Sequence, residues 1–124
     1  MIFAAGLGTR LRPLTDNMPK ALVPVAGKTM LERVILKLKD AGFHDITINI
    51  HHFGNQIIDF LRANQNFGVD IHISDERGEL LDTGGGIKKA RPLLESNEPF
   101  LIHNADILTD VDLNAFYHHH LESN

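Results

Sequence analysis

The chain has 124 residues, enough for one domain with a substantial core, and its 43% hydrophobic and 23% charged residues are ordinary for a globular protein. A formal net charge of −4 argues against broad electrostatic binding to nucleic acid or to an anionic membrane surface. Cysteine is absent, which removes disulfide frameworks and thiol chemistry, and no apolar run approaches the ~18 residues of a membrane span.

Taken in chain order, the pattern alternates strands and helices. Ile2–Ala5 reads as a short buried strand that ends in a glycine-spaced turn, Gly6-Leu7-Gly8. Thr29-Met30-Leu31-Glu32 is a capping box, in which the Thr29 side chain accepts from the Glu32 amide and the Glu32 side chain reaches back. Apolar residues at Met30, Leu31, Val34, Ile35, Leu38 and Ala41 follow at helical spacing, and Gly42 stands where a glycine would end that helix. Asp45 to Ile50 alternates with period two and is rich in isoleucine, the signature of a strand. Gln56 to Ala63 reads as a second helix, Val69 to Ile73 as a third strand, and Gly86 to Leu94 as a short helix distorted by Pro92. Phe100 to His103 reads as a fourth strand, and Leu113, Phe116, Tyr117 and Leu121 mark a last amphipathic helix.

Strand–helix–strand repeats of this length imply an α/β fold, a three-layer αβα arrangement around a mainly parallel sheet. Ligands in such sheets bind outside the carboxyl ends of the strands. The chemistry-bearing residues obey that rule: the glycine loop follows the first strand, His51-His52 the second, the segment from Glu76 to Gly86 the third, and Asp106 the fourth.

The loop after the first strand is the most informative stretch. Glycines allow close approach of backbone to a ligand, and successive N–H groups in such a turn form a nest for anions. Arg10, Arg12 and Lys20 add fixed positive charge, so the loop reads as a polyphosphate site. Its spacing is neither that of a P-loop nor G-x-G-x-x-G. The full string from Gly6 to Leu22 resembles the signature of the sugar-1-phosphate nucleotidyltransferases, G-x-G-T-R-(L/M)-x-P-L-T-x-x-x-P-K-x-(L/M), at every fixed position.

That resemblance implies a nucleotide-diphospho-sugar transferase fold of Rossmann-like type. It implies that Ala5, Gly6, Leu7, Gly8, Thr9 and Arg10 bind the nucleotide, with Arg10 on the β- and γ-phosphates. Lys20 would lie near the α-phosphate, and Arg10 and Lys20 would be the catalytic residues. The segment Phe100 to Asp106 resembles the family strand that ends in x-x-N-G-D, which makes Asp106 the candidate Mg2+ ligand. One departure is Ala105, where glycine is usual. Asp110 and Asp112 read as a turn residue and a helix N-cap. Glu79 to Ile87 resembles the family segment that lies against the base, with Gly84 and Gly85 as the contacts. Within the family, L-L-D-T-G-G-G-I looks most like the enzymes that make UDP-N-acetylmuramate, with mannose-1-phosphate guanylyltransferases also similar.

The expected function is transfer of a nucleoside monophosphate from a nucleoside triphosphate to a sugar 1-phosphate, with release of pyrophosphate. UTP with N-acetylmuramate 1-phosphate is favoured, and GTP with mannose 1-phosphate comes next. A phosphocholine-type cytidylyltransferase and a non-catalytic regulatory domain of the same fold are the rivals. Family members are longer, so residues 1–124 read as the nucleotide-binding N-terminal part of the domain, with the acceptor-sugar half absent and the fragment alone inactive. A cytoplasmic location is expected, with a role in nucleotide-sugar and cell-envelope synthesis, and an exposed sheet edge offers a route to homo-oligomers. The eight histidines read as structural or surface residues. Adjacent helical positions point about 100° apart, so His118, His119 and His120 cannot share one ion.

Overall fold

The computed structural model describes residues 1–123. Its core is a four-stranded sheet in the order β5-β4-β1-β6, made of Ile2–Phe3 (β1), Asp45–Ile50 (β4), Asp70–Asp75 (β5) and His103–Asn104 (β6). Every neighbouring pair is parallel. β4 is buried from Ile46 to Ile50 on both faces, as expected of an inner parallel strand. Ile46, Ile48 and Ile50 face a core built with Leu31, Val34, Ile35 and Leu38 from α1 (Met30–Asp40) and Ile57 and Leu61 from α2 (Gly54–Ala63). The opposite face of β4, with Asn49, meets α3 (Thr83–Leu94) at Gly86. Helices therefore cover both faces, and α4 (Leu113–Glu122) follows β6. No helix among the described residues is long and apolar enough to cross a membrane.

The ends of α1 follow from its sequence. Thr29 caps it by accepting from the Glu32 amide at 3.0 Å. At the other end Phe43 N–H donates to Leu38 O at 2.9 Å and Gly42 N–H to Lys39 O at 3.0 Å. This is a Schellman motif, and Gly42 at φ 94 supplies the left-handed residue it needs.

Several elements differ from the sequence expectation, among them β1, which ends at Phe3 instead of Ala5, and α2, which starts at Gly54 instead of Gln56. A two-stranded antiparallel hairpin, Pro24–Val25 (β2) with Lys28–Thr29 (β3), precedes α1 and had no periodic signal because each strand is two residues long. Ala26 and Gly27 both have positive φ, the requirement of a type I′ turn, and Arg33 of α1 holds the hairpin by donating to Val25 O and Ala26 O. The fourth strand is displaced from 100–103 to His103–Asn104, with Phe100 and Ile102 exposed, because only the segment beside β1 has a partner. The third strand extends to Asp75, and α3 begins at Thr83 instead of Gly86, so the three glycines lie inside its first turn.

Candidate functional site

β1 stops after Phe3 because a side chain takes over its ladder. The next donor, Ala4 N–H, bonds Asn49 Oδ1 at 2.7 Å. The chain leaves the sheet there and folds on itself through Gly8 and Thr15. Gly8 has φ 67, and a Cβ at that position would lie 2.9 Å from Thr15 Cγ2. The buried Thr15 hydroxyl donates to Gly8 O at 2.5 Å, and Leu11 N–H reaches the same carbonyl at 3.1 Å in the single turn Thr9–Leu11. Glycine is required at position 8 by both conformation and contact.

This loop forms one wall of a cavity of about 500 Å³ at the carboxyl ends of β1 and β6. From the loop come Ala5, Gly6 and Arg10; Lys20 comes from the turn that follows, and Asn104, Ala105 and Asp106 from the end of β6. Leu80 to Thr83, before and at the start of α3, close the far side, and Asn49 is part of the lining. β4 and β5 lie to one side of β1 and β6 to the other, so the cavity sits at a topological switch point.

Lys20 Nζ stands 2.5 Å from Asp106 Oδ2, each side chain being about one-third exposed. Arg10 is exposed and makes no ion pair among the described residues. With Asp82 at the head of α3, the charged residues lining the cavity are Arg10, Lys20, Asp82 and Asp106, and their formal charges cancel. A lining of that kind suits a polyanion that arrives with its own cation. No group of three His, Asp or Glu residues able to hold a metal occurs among the described residues. A divalent ion here would have Asp106 as a protein ligand and draw its other oxygens from water and phosphate, the usual way Mg2+ is held. The donor set fits that ion.

Ala5, Gly6, Arg10, Lys20 and Asp106 are thus brought to one cavity. Leu7, Gly8 and Thr9 lie in the loop outside its lining. Gly84 and Gly85 are also outside it, on the second and third residues of α3, where the Asp82 side chain makes no capping bond to their amides. Ala105 is accommodated: it has no positive φ, its N–H donates to Phe3 O at 3.0 Å, and its methyl group joins the core. Asp112 caps α4 by accepting from Ala115 N–H at 3.0 Å, and Asp110 is exposed. His51 Nδ1 lies 2.6 Å from Glu76 O, His103 Nδ1 lies 2.7 Å from Asn104 O, and His118 to His120 are exposed on α4.

Two residues escaped the sequence reading. Asn49 looked like one polar position in an alternating strand, and Glu76 like a loop acid after β5. Glu76 is fully buried. Its Oε2 accepts from Asn49 Nδ2 at 2.8 Å, and its Oε1 accepts from Leu81 N–H at 3.1 Å. A glutamate beside a glycine-rich helix start was the available signal, but burial of an acid is not visible in composition. Just outside, Arg77 grips Asp75 with three side-chain hydrogen bonds of 2.7 to 3.0 Å, which hold that carboxyl below its ordinary range.

The nucleotidyl transferase family matches residues 1–124. The chain is 48% identical over 117 residues to the N-acetylmuramate alpha-1-phosphate uridylyltransferase of Neisseria meningitidis serogroup B, covering 94% of this chain and 50% of that protein. It is 39% identical to a mannose-1-phosphate guanyltransferase of Gibberella zeae, covering 97% of this chain and 34% of that one. Among solved structures, HddC from Yersinia pseudotuberculosis complexed with GMP-PN superposes with a TM-score of 0.85 at 32% identity, over 98% of this chain and 53% of that chain. The chain therefore spans half or less of the curated relatives named here.

Proposed function

The chain belongs to the nucleotidyl transferase family, and from that premise we propose that its cavity binds a nucleoside triphosphate with Mg2+ for transfer of the nucleoside monophosphate to a sugar 1-phosphate. The observation that carries this reading is the convergence of Arg10, Lys20 and Asp106 on one cavity at the carboxyl ends of β1 and β6. A sugar-phosphate oxygen attacks the α-phosphorus in line, and pyrophosphate leaves. Charge grows on the leaving and equatorial oxygens, so fixed cations and amides aimed at them lower the barrier. Arg10 presents a planar fork to two phosphate oxygens of the leaving group. Lys20 places its ammonium at the α-phosphate, and Ala5 and Gly6 contribute main-chain donors from the cavity wall, with Leu7 to Thr9 behind them in the loop. Asp106 would hold the Mg2+, which supplies charge neutralisation when bound. Gly84 and Gly85, just outside the lining at the start of α3, extend the site toward the base with uncapped amides and side-chain-free backbone. The sugar phosphate is already ionised at neutral pH, so the reaction requires no general base.

UTP with N-acetylmuramate 1-phosphate is the first assignment, supported by the name of the Neisseria relative. GTP with mannose 1-phosphate is the second, supported by the guanyltransferase and by the guanosine nucleotide in the HddC complex. In this reading residues 1–124 form the nucleotide-binding part of the domain and turn over poorly by themselves. Thermal-shift titration with UTP, GTP, CTP, ATP and dTTP, each with Mg2+, is the test. Ligand at about a hundred times Kd stabilises by roughly 2.7 kcal/mol. A shift with UTP alone supports the first assignment, a shift with GTP alone the second, and no shift with any nucleotide refutes the site.

A further inference from the structure

The buried polar chain behind the cavity has a fixed direction. Ala4 N–H is a donor and can only be a donor, so the Asn49 atom facing it at 2.7 Å is the oxygen. That choice turns the Asn49 amide group toward Glu76, where it donates to Oε2 at 2.8 Å. Leu81 N–H is the second obligate donor, and it reaches Oε1 at 3.1 Å. Glu76 must therefore accept at both oxygens, which a glutamine cannot do. The relay is closed by α3, since a Cβ on Gly86 would lie 3.2 Å from Glu76 Oε2 and 3.3 Å from Asn49 Nδ2.

The two ends of this relay are the two walls of the cavity. Ala4 is where the chain leaves β1 for the glycine loop, and Leu81 belongs to the segment that closes the far side. We propose that Asn49 and Glu76 are positioning residues: through main-chain bonds at Ala4 and Leu81 they set the spacing between the wall that takes phosphates and the wall that takes the base. Neither residue is required to touch the reacting atoms. The inference rests on the nucleotide reading above, but its direction of hydrogen bonding is a property of the ligand-free chain and is testable there.

The polarity argument predicts an unusual rescue. Glu76→Gln leaves two donors competing for one acceptor, and Asn49→Asp sets two carboxylates face to face. Made together, they reverse the middle bond. The carboxylate introduced at 49 accepts from Ala4 N–H and from the new amide at 76, whose oxygen accepts from Leu81 N–H. The test measures amide exchange at Ala4 and Leu81 and the Kd for UTP and GTP with Mg2+, in the 124-residue chain and the three variants. Each single variant is expected to speed exchange at Ala4 or Leu81 and to weaken nucleotide binding about tenfold or more, the scale of one unsatisfied buried donor. The double variant is expected to recover both to within about threefold of the unaltered chain, a residual typical of a relay re-formed in slightly altered geometry.

Single variants that unfold do not defeat the test, because the double variant must then fold and bind. A double variant no better than the worse single one overturns the relay. Exchange that follows the expected pattern while nucleotide Kd is equal in all four chains overturns the positioning role. If the unaltered chain binds no nucleotide, the functional reading fails and the positioning role with it, while the exchange rescue separately decides the hydrogen-bond direction.

Discussion

Gly84 and Gly86 lie two residues apart in α3, and alanine at each should have opposite consequences. Alanine is favoured over glycine in a helix by about 1 kcal/mol, and this gain is similar at both sites. At Gly84 a new Cβ meets nothing within 4 Å. At Gly86 it meets Glu76 Oε2 at 3.2 Å, Asn49 Nδ2 at 3.3 Å and Phe3 Cε1 at 3.5 Å. Two of those atoms are bonded to each other at 2.8 Å and buried, so neither can retreat without stretching that bond. Forcing a methyl group into such packing costs about 1–3 kcal/mol. The propensity gain cancels in the comparison, leaving Gly84→Ala more stable than Gly86→Ala by about 1–3 kcal/mol. At roughly 4 °C per kcal/mol for a chain of this size, the melting temperatures should differ by about 4–12 °C. Urea unfolding monitored by circular dichroism gives the same comparison as a shift in midpoint at constant slope. Equal stability of the two variants, or a more stable Gly86→Ala, would show that α3 does not rest on the Asn49–Glu76 pair.

Arg10→Ala should reduce nucleotide affinity at least tenfold, the scale of a lost charge-assisted hydrogen-bond pair, while leaving the melting temperature unchanged, because Arg10 is exposed and has no ion-pair partner among the described residues; calorimetric titration on a folded variant decides it, and unchanged affinity removes Arg10 from the site. Asp75 carries a carboxyl depressed first by its side-chain hydrogen bonds to Arg77. A depressed acid contributes stability above its unfolded value of 3.8, lost as pH falls through the lower folded value. The pair is exposed, so the effect on unfolding should be small and salt-sensitive. Carboxyl NMR titration should show the Asp75 midpoint rising toward 3.8 in Arg77→Ala, and an unmoved midpoint would assign the depression to another source.

Long periodic segments were legible in the sequence. α1 showed its cap at Thr29 and its stop at Gly42, and β4 showed the alternation of a strand. The cavity lining was legible where it belongs to a contiguous string, at Gly6, Arg10 and Lys20, and at Asp106, whose place after the last strand follows from the α/β pattern. What escaped was set by partners distant in sequence. β6 lies at 103–104 because β1 offers pairing only there, and the hairpin at 24–29 is too short to show a period. The three glycines read as a loop opening a helix, yet they are helical, since packing of Gly86 on β4 overrides their poor propensity. Glu76 is the clearest case: an acid between a strand and a loop is normally solvated, and only the donors of Asn49 and Leu81 make its burial tolerable.

The central position of β1 also has a bearing on biosynthesis. Ala4 finds its side-chain partner 45 residues later, and Met1 bonds Leu101 across 100 residues. At about 5–20 residues per second, a ribosome needs about 5–20 s to deliver β6 after β1. During that interval Ile2 and Phe3 can pair with β4 but not with β6, and the glycine–arginine loop is held only by local bonds such as Thr15 to Gly8. β1 therefore gains its second neighbour long after its first, so the part of the sheet that frames the cavity closes late in synthesis.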